Sequence, residues 1–138
     1  MSAQRANEEL VRGAIVDSPL AKLLGVEVEA VERERVRLRL PFRTEVTTVG
    51  DTVHGGAIAA LIDTAATGAA WSAADLEKNP RGTTIAFTVN FLAAARAEDI
   101  FAEARVIQRG RTITVCEVRV EGKSGHAVAS ALVTYKLG

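Results

Sequence analysis

A histidine, two adjacent glycines and one acid interrupt the apolar segment VHGGAIAALIDTAATGAA, residues 53–70. Asp63 is the only formally charged side chain between His54 and Asp75. Burying an unpaired carboxylate is costly or raises its pKa, so such a residue needs a compensating partner or a use. Two interpretations of Asp63 are open: a buried salt bridge to an arginine of a neighbouring strand, or an ionisable group that acts on a substrate.

The Gly55-Gly56 pair lets the backbone turn sharply into a helix. The first N–H groups of a helix lack partners within it and lie at the positive end of its dipole, so they can stabilise a developing oxyanion. Considered alone, the two glycines are better explained by close packing of a neighbouring element. Together with the acid, they indicate a candidate oxyanion site.

The residues after the glycines predict one long helix from about Gly56 to Glu77, with a length of about 33 Å at 1.5 Å per residue. One apolar stripe consists of Ile58, Leu61, Ile62 and Ala65. Small residues fill most other positions, which indicates a buried helix that a sheet can wrap closely. Asp63 lies about 140° around the helix from Ile58 and therefore leaves the stripe.

Gly55 and Asp63 are eight residues apart on this helix, which separates them by about 12 Å along its axis. Two groups at that distance within one chain cannot act on one reacting atom. If both act on the same substrate, the amide of one subunit and the carboxylate of another must meet across a two-fold interface. The spacing therefore predicts that function requires a dimer.

Alternating apolar and polar residues predict the sheet that surrounds the helix. A strand hairpin with one wet face is predicted over residues 26–40. Further strands are predicted over residues 83–92, 100–107, 112–120 and 126–136. In the first of these, Ile85, Phe87, Val89 and Phe91 form the apolar side of a half-buried strand. One long helix with an otherwise antiparallel sheet gives an α+β class.

The chain of 138 residues has the length of a single domain. A weak helical pattern over residues 3–16 predicts an N-terminal helical extension, taken here as residues 1–19. In the segment SPLAKLLG, Ser18 is a candidate N-cap, Pro19 occupies the first helical position and Gly25 is the stop signal, so one more short helix is predicted.

Composition excludes several classes of partner. Seventeen Lys and Arg residues balance seventeen Asp and Glu residues without a separate basic block, so neither nucleic acid nor a membrane surface is expected as a partner. Charges near the N-terminus interrupt any signal-peptide core, and we expect a cytoplasmic protein. The single cysteine, Cys116, is predicted to be a buried core thiol. The two histidines are 72 positions apart and predict no metal site.

The motif HGGAIAALIDTA, with later strands that carry VNFLAAARAED, QRGRT and VASALVTYK, resembles the hotdog-fold acyl-CoA thioesterases, in particular the phenylacetate-degradation (PaaI) type. The resemblance covers roughly residues 20–137, and the spacing of nine from His54 to Asp63 is its most specific element. It implies an antiparallel sheet wrapped around the long helix, an edge-to-edge dimer and usually a dimer of dimers. It also implies active sites between subunits.

The resemblance further implies roles for individual residues. Asp63 is expected to be the general base for water or the nucleophile that attacks the thioester carbonyl. The Gly55 N–H would polarise that carbonyl, and His54 would order the loop or contact the thioester. Similar proteins have a serine or threonine near the carboxylate at the start of the next strand, for which Thr84 is the best match and Thr83 is possible.

The sequence departs from the resemblance at one position. Many relatives carry an asparagine six residues before the histidine, where this chain has Thr48, which makes hydrogen bonds but cannot reproduce the geometry of an amide. Gly56 is a further candidate contact to the substrate. Arg81, Arg109 and Arg111 flank strand ends and are candidate contacts for the phosphates of CoA, although solvated surface arginines are the more common case.

Together, these expectations predict a homo-oligomeric acyl-CoA thioesterase. It would hydrolyse small aromatic or medium-chain acyl-CoA thioesters without a metal or redox cofactor. A non-catalytic acyl-CoA binding module is one alternative, which the Thr48 departure makes conceivable. A hotdog hydratase or dehydratase is another. Trp71 could shape an acyl pocket, although large aromatics at such positions more often belong to a core or an interface.

Overall fold

The structure, a computed structural model, describes residues 2–138. The helices are α1 (Ala3–Leu10), α2 (Pro19–Leu24) and α3 (Gly55–Trp71). The strands are β1 (Glu27–Glu32), β2 (Arg35–Leu40), β3 (Gly82–Phe91), β4 (Ile100–Arg109), β5 (Ile113–Gly122) and β6 (Ala127–Leu137). A π-helical turn at Val11–Ile15 follows α1, and short 3-10 turns lie at Thr44–Val46 and Leu76–Lys78.

The strands form one antiparallel sheet in the order β1-β2-β4-β5-β6-β3. Helix α3 connects β2 to β3 in the chain and packs against the inner face of the sheet. The chain passes over the sheet through this helix, so β3 joins the far edge beside β6 rather than lying next to β2. The α+β fold with a sheet wrapped around a long central helix is therefore confirmed.

The hairpin of β1 and β2 has the wet outer face that its sequence predicts. On β2, Val36, Leu38 and Leu40 are almost completely buried, whereas the arginines between them face outward. Arg35 donates to Glu103 of β4 at 2.9 Å, and this hydrogen bond holds the pKa of Glu103 below its ordinary value. The charges of the outer face are thus paired across neighbouring strands.

Strand β3 is more exposed than the alternation predicts. Its exposed fractions are 53% at Ile85, 38% at Phe87 and 56% at Phe91. The reason is topological, since β3 is the last strand at one edge of the sheet. A bulge between Thr84 and Ala86 also shifts the register against β6. The alternation therefore predicted the position of the strand correctly. It could not show that β3 lies at the edge of the sheet, where it has a neighbouring strand on one side only.

Helix α3 ends at Trp71, earlier than the predicted end at Glu77. Asp75 accepts a hydrogen bond from the Glu77 N–H and starts the separate Leu76–Lys78 turn. Aspartate competes well for backbone N–H groups at helix starts, so this residue favours a new turn over continuation of the helix. A polar side chain from elsewhere in the chain then satisfies the carbonyl groups at the end of α3.

That side chain is Asn7 of α1, which is only 4% exposed. Its amide donates to the carbonyl oxygens of Trp71 at 2.7 Å and Ala74 at 2.9 Å. Further along, a Cβ atom at Gly68 of α3 would lie 3.3 Å from the Val11 side chain, so the glycine permits close approach. The N-terminal segment therefore runs antiparallel to α3 along its length.

Helix α2 has the predicted boundaries. Ser18 is its N-cap residue, Pro19 occupies the first helical position, and Gly25 ends the helix with a left-handed φ of 82°. The Ser18 side chain makes no capping hydrogen bond.

In the part of the chain that the structure describes, no helix is both long and apolar enough to cross a membrane.

We expect Asn7→Ala to lower the free energy of unfolding by about 1–3 kcal/mol, because it leaves buried carbonyl groups without their donor. Urea unfolding followed by circular dichroism measures this change. Gln4→Ala on the same helix is the control, and it should change stability by less than about 0.5 kcal/mol. Equal stability of the two variants would show that the Asn7 bonds contribute nothing.

Candidate active site

Asp63 and Thr84 form the central contact of the site. The Thr84 hydroxyl donates to Asp63 Oδ1 at 2.7 Å. Asp63 lies on a half-buried stripe of α3, together with Thr64 and Thr67, and Thr84 lies near the start of β3, opposite Tyr135 of β6. The structure thus brings together the acid and the hydroxyl residue that the resemblance pairs with it. Their roles in catalysis are still predictions.

The salt-bridge interpretation of Asp63 finds no support in this chain. Within residues 2–138, none of the ion pairs includes Asp63. An ionised carboxylate can accept about four hydrogen bonds, and this one accepts a single bond from Thr84. The remaining lone pairs are therefore free to accept a proton from water or to contact a substrate.

His54 organises the start of α3. It is the N-cap residue, and its Nδ1 accepts a hydrogen bond from the Gly56 N–H at 2.7 Å. The N–H groups of Ala57 and Ile58 both donate to the His54 carbonyl oxygen. Among the described residues, the Gly55 N–H is then the amide of this first turn that has no acceptor. The candidate oxyanion donor is thus a single amide.

The two glycines meet different requirements. A Cβ atom at Gly56 would lie 2.9 Å from His54 Nδ1, so a side chain there would displace the capping imidazole. At Gly55, a Cβ atom would lie 3.6 Å from the Phe91 ring, which is an ordinary contact. Gly56 is therefore needed for the cap, and its N–H is already used. At Gly55 the surroundings within this chain would tolerate a small side chain.

Asp63 and Gly55 open onto different cavities of the same chain. Asp63 lies in a cavity of about 430 Å³ that Thr67, Trp71 and Tyr135 also line. Gly55 lies in a cavity of about 420 Å³. Thr48 lines the cavity of Gly55, so the departure from the usual asparagine falls at the amide and not at the carboxylate.

The three candidate arginines do not form one site. Arg109 donates to Glu34 Oε1 at 2.6 Å and to the Ala70 carbonyl oxygen at 2.9 Å, which ties it to the fold. Arg109 and Arg111 line one cavity near the end of α3, where Lys78 adds a further positive charge. Arg81 is exposed and is not among the residues that line this cavity. Contacts of these side chains to CoA are still predictions.

Cys116 is buried in the core, as predicted. Burial raises the pKa of the Cys116 thiol to about 12, so the thiol stays protonated at neutral pH. Its Sγ lies 3.7 Å from the Ala66 carbonyl oxygen, to which it donates. Among residues 2–138, no group of three or more His, Cys, Asp or Glu side chains is arranged to hold a metal ion.

Tyr135 is a site residue that the sequence analysis did not single out. It is 4% exposed, and its hydroxyl oxygen accepts a hydrogen bond from Trp71 Nε1 at 2.8 Å. Burial raises the pKa of Tyr135, and the nearby charge of Asp63 adds to this effect. The alternation of β6 places Tyr135 on the inward face of the sheet, and this was the sequence feature that could have identified it. Alternation alone does not distinguish a residue that lines a cavity from one in the core.

Known proteins resemble this chain in sequence. The pattern of the thioesterase superfamily matches residues 50–129. A putative esterase of Halobacterium salinarum is 37% identical over 114 residues, which cover 80% of this chain and 75% of the relative. The medium/long-chain acyl-CoA thioesterase YigI of Escherichia coli K12 is 26% identical over 154 residues, which cover 100% of this chain and 97% of the relative.

A solved structure shows the same fold. The PaaI protein from the phenylacetic acid degradation operon of Escherichia coli superposes with a TM-score of 0.86 at 18% identity, covering 98% of this chain and 95% of that protein. The chain belongs to the thioesterase superfamily and has its hotdog fold. It is a thioester hydrolase, as the sequence predicts, and its resemblance to the PaaI type is confirmed at the level of the fold.

We expect Thr84→Val to lower kcat by about 10- to 100-fold, because a hydrogen bond to a charged group contributes about 1.5–3 kcal/mol. Valine keeps the shape of threonine but cannot donate to Asp63. Release of free thiol from an acyl-CoA ester measures the rate. Thr84→Ser keeps the donor and should retain most of the activity, so equal rates for the two variants would contradict a role for the hydroxyl.

Proposed function

We propose that this protein hydrolyses small aromatic or medium-chain acyl-CoA thioesters to the free acid and CoA, at a site shared between two subunits. The observation that carries the proposal is Asp63, a half-buried carboxylate with a hydroxyl donor and no cation partner within residues 2–138. The name of the YigI relative supports acyl-CoA as the substrate class. A small or medium-length acyl group agrees with the open cavity of about 430 Å³ beside Asp63.

The chemistry requires few groups. In one route, Asp63 accepts a proton from water as the water oxygen attacks the thioester carbonyl carbon. In the other, Asp63 attacks the carbonyl carbon itself, and water then cleaves the resulting anhydride. In both, the Gly55 N–H of the other subunit stabilises the oxyanion, which contributes about 10²–10³ in rate. In both, collapse of this oxyanion breaks the carbon–sulfur bond and expels CoA as a thiolate, before the anhydride is hydrolysed in the second route.

Strand β3 supports an edge-to-edge dimer. It is ten residues long and lies at the edge of the sheet, so its outer backbone groups have no partner strand among residues 2–138. The exposed side chains of Ile85, Phe87, Phe91 and Leu92 lie on or next to it. A long exposed apolar edge promotes association unless it is covered. A second copy of β3 would cover it as an antiparallel partner.

This pairing would also bring the two halves of the site together. In an antiparallel pair centred on the middle of β3, Thr84 of one copy lies opposite Val89 of the other copy, two residues from Phe91. Within each chain, the Phe91 ring packs near Gly55, and Thr84 is bonded to Asp63. The carboxylate of one subunit and the free amide of the other then approach one region. This geometry supports the intersubunit site that the helix spacing requires.

We expect Asp63→Asn to lower kcat by at least about 10²–10⁴, the usual contribution of general-base catalysis. Asparagine has nearly the same shape and still accepts from Thr84, so the fold is retained. Thiol release from aromatic, short and medium acyl-CoA esters measures the loss. Sedimentation of both proteins compares their assembly and distinguishes dimer from tetramer. Unchanged turnover in a folded variant would exclude Asp63 as the general base or nucleophile.

We expect Gly55→Pro to lower kcat by about 10²–10³, because proline removes the N–H that stabilises the oxyanion. Proline suits this first helical position, and His54 before it has the extended backbone that proline requires, with φ −64° and ψ 132°. Gly55→Ala keeps the N–H and is the matched control. Similar rates for the proline and alanine variants would show that this amide plays no part.

Mixing the two inactive variants tests whether the site is shared. A heterodimer of Asp63→Asn and Gly55→Pro chains contains one site with both changes and one site with neither. After refolding as an equal mixture, activity should recover to about a quarter of the wild-type value if each site uses both subunits. No recovery, with heterodimers present, would indicate that each site is built within one chain.

A further inference from the structure

The cavity beside Asp63 is a groove between helix α3 and the N-terminal segment, defined here as residues 7–18. Asn7 of the segment bonds to the carbonyl group of Trp71 at one end. At the other end, Ser18 lines the cavity together with Asp63. The close approach of the segment to α3 at Gly68 keeps the groove narrow. Its volume of about 430 Å³ lies in the range of about 300–1,000 Å³ that is usual for small-molecule sites.

Asp63 and Trp71 mark two points along this groove. They are eight residues apart on α3, which separates them by about 12 Å along the helix axis. Trp71 donates from its indole Nε1 to the Tyr135 hydroxyl at 2.8 Å. This bond fixes the orientation of the indole. A group that enters beside Asp63 and extends along the helix towards its C-terminus therefore reaches a rigid wall.

Three secondary-structure elements build this wall. Trp71 comes from α3, Tyr135 from β6, and Gly82 from the start of β3. A Cβ atom at Gly82 would overlap the Tyr135 hydroxyl, so the glycine provides the space that the phenol occupies. The placement of the indole thus depends on a phenol that is itself held by the sheet. Such a wall resists displacement by a ligand more than a single exposed side chain would.

The side of the groove is apolar where an acyl chain would lie. Leu10, Ala14 and Ile15 line it from the N-terminal segment, and Thr64 and Thr67 line it from α3. An apolar trough with a few polar groups at one end is typical of sites that bind an apolar ligand in a fixed orientation. The groove therefore suits a straight hydrocarbon chain whose carbonyl group lies at Asp63.

We propose that Trp71 is a specificity-determining residue, which ends the groove and limits the substrate to straight acyl chains of medium length. The inference rests on the proposed function and names the acyl group for the same site. Leu10, Ala14, Ile15 and Tyr135 all lie outside residues 50–129, the segment that matches the superfamily. Half of the groove lining therefore lies outside the matched segment, whereas Trp71 itself lies within it.

The test is a series of saturated acyl-CoA esters from butanoyl to hexadecanoyl, with kcat/KM measured for each. Trp71→Ala removes the end wall and moves the optimum to longer chains. For the first ester that the wild type rejects, kcat/KM rises by about tenfold or more, because one methylene in an apolar pocket changes discrimination by about 10- to 200-fold. Trp71→Phe keeps a ring and gives a smaller shift.

Leu10→Trp provides a second test that leaves the wall in place. The larger side chain fills the groove from the N-terminal segment and lowers kcat/KM for the longest accepted ester by about tenfold. Leu23→Trp on α2 is the matched control, because Leu23 is 72% exposed and does not line the groove. It leaves the chain-length profile unchanged.

The outcomes separate the inference from the function on which it rests. A folded Trp71→Ala variant with the wild-type optimum overturns the inference. If that variant does not fold, Leu10→Trp decides, and an unchanged preference for chain length overturns the inference in the same way. A wild-type protein that releases no thiol from any ester contradicts the proposed function as well. Hydrolysis with a profile that neither variant changes contradicts the length limit alone.

Discussion

The fixed rise of helix α3 is the constraint on which the site depends. Gly55, Asp63 and Trp71 follow one another at intervals of eight residues, so each lies about 12 Å further along the axis and about 80° further around it. No rotation of side chains can close such a distance. An amide at one end of the helix and a carboxylate at its middle can therefore act on one reacting atom only if they come from different copies. The helix, and not any single contact, makes the proposed site a property of the dimer.

Small residues on α3 explain how one helix can have neighbours on several sides. Ala65 and Ala69 are fully buried against the sheet, and Gly68 allows Val11 of the N-terminal segment to approach closely. Between these contacts lies the half-buried stripe that carries Asp63. The carboxylate has a threonine hydroxyl on one side and an open cavity on the other. That balance between burial and exposure is what a general base or nucleophile at neutral pH requires.

Local patterns predicted the elements of this fold well, and long-range contacts caused the errors. The period of two located every strand, and Ser18, Pro19 and Gly25 gave the boundaries of α2 correctly. The early end of α3 involves Asn7, a residue 64 positions away from Trp71 in the sequence. Similarly, the partner of Arg109 could not be predicted from nearby residues, because Glu34, which it contacts at 2.6 Å, is 75 positions away in the sequence. Arg109 was therefore interpreted as a solvated or CoA-binding residue. The exposure of β3 depends on the order of strands, which no window along the sequence contains.

The same reasoning applies to Thr48, where the chain departs from the resemblance. Thr48 lines the cavity of Gly55, and its backbone N–H donates to the Thr52 carbonyl oxygen at 2.9 Å, so the loop is held in place. A hydroxyl in that cavity offers at most one donor where an amide would offer two. In the proposed mechanism, stabilisation of the oxyanion then depends mainly on the single free N–H of Gly55. One such donor is most effective where water is excluded, and the exposed Phe91 and Leu92 beside it become a dry wall only when a second subunit covers them. In the proposed dimer, oxyanion stabilisation and subunit association would be coupled, because the surface that joins the subunits would also lower the dielectric around the donor.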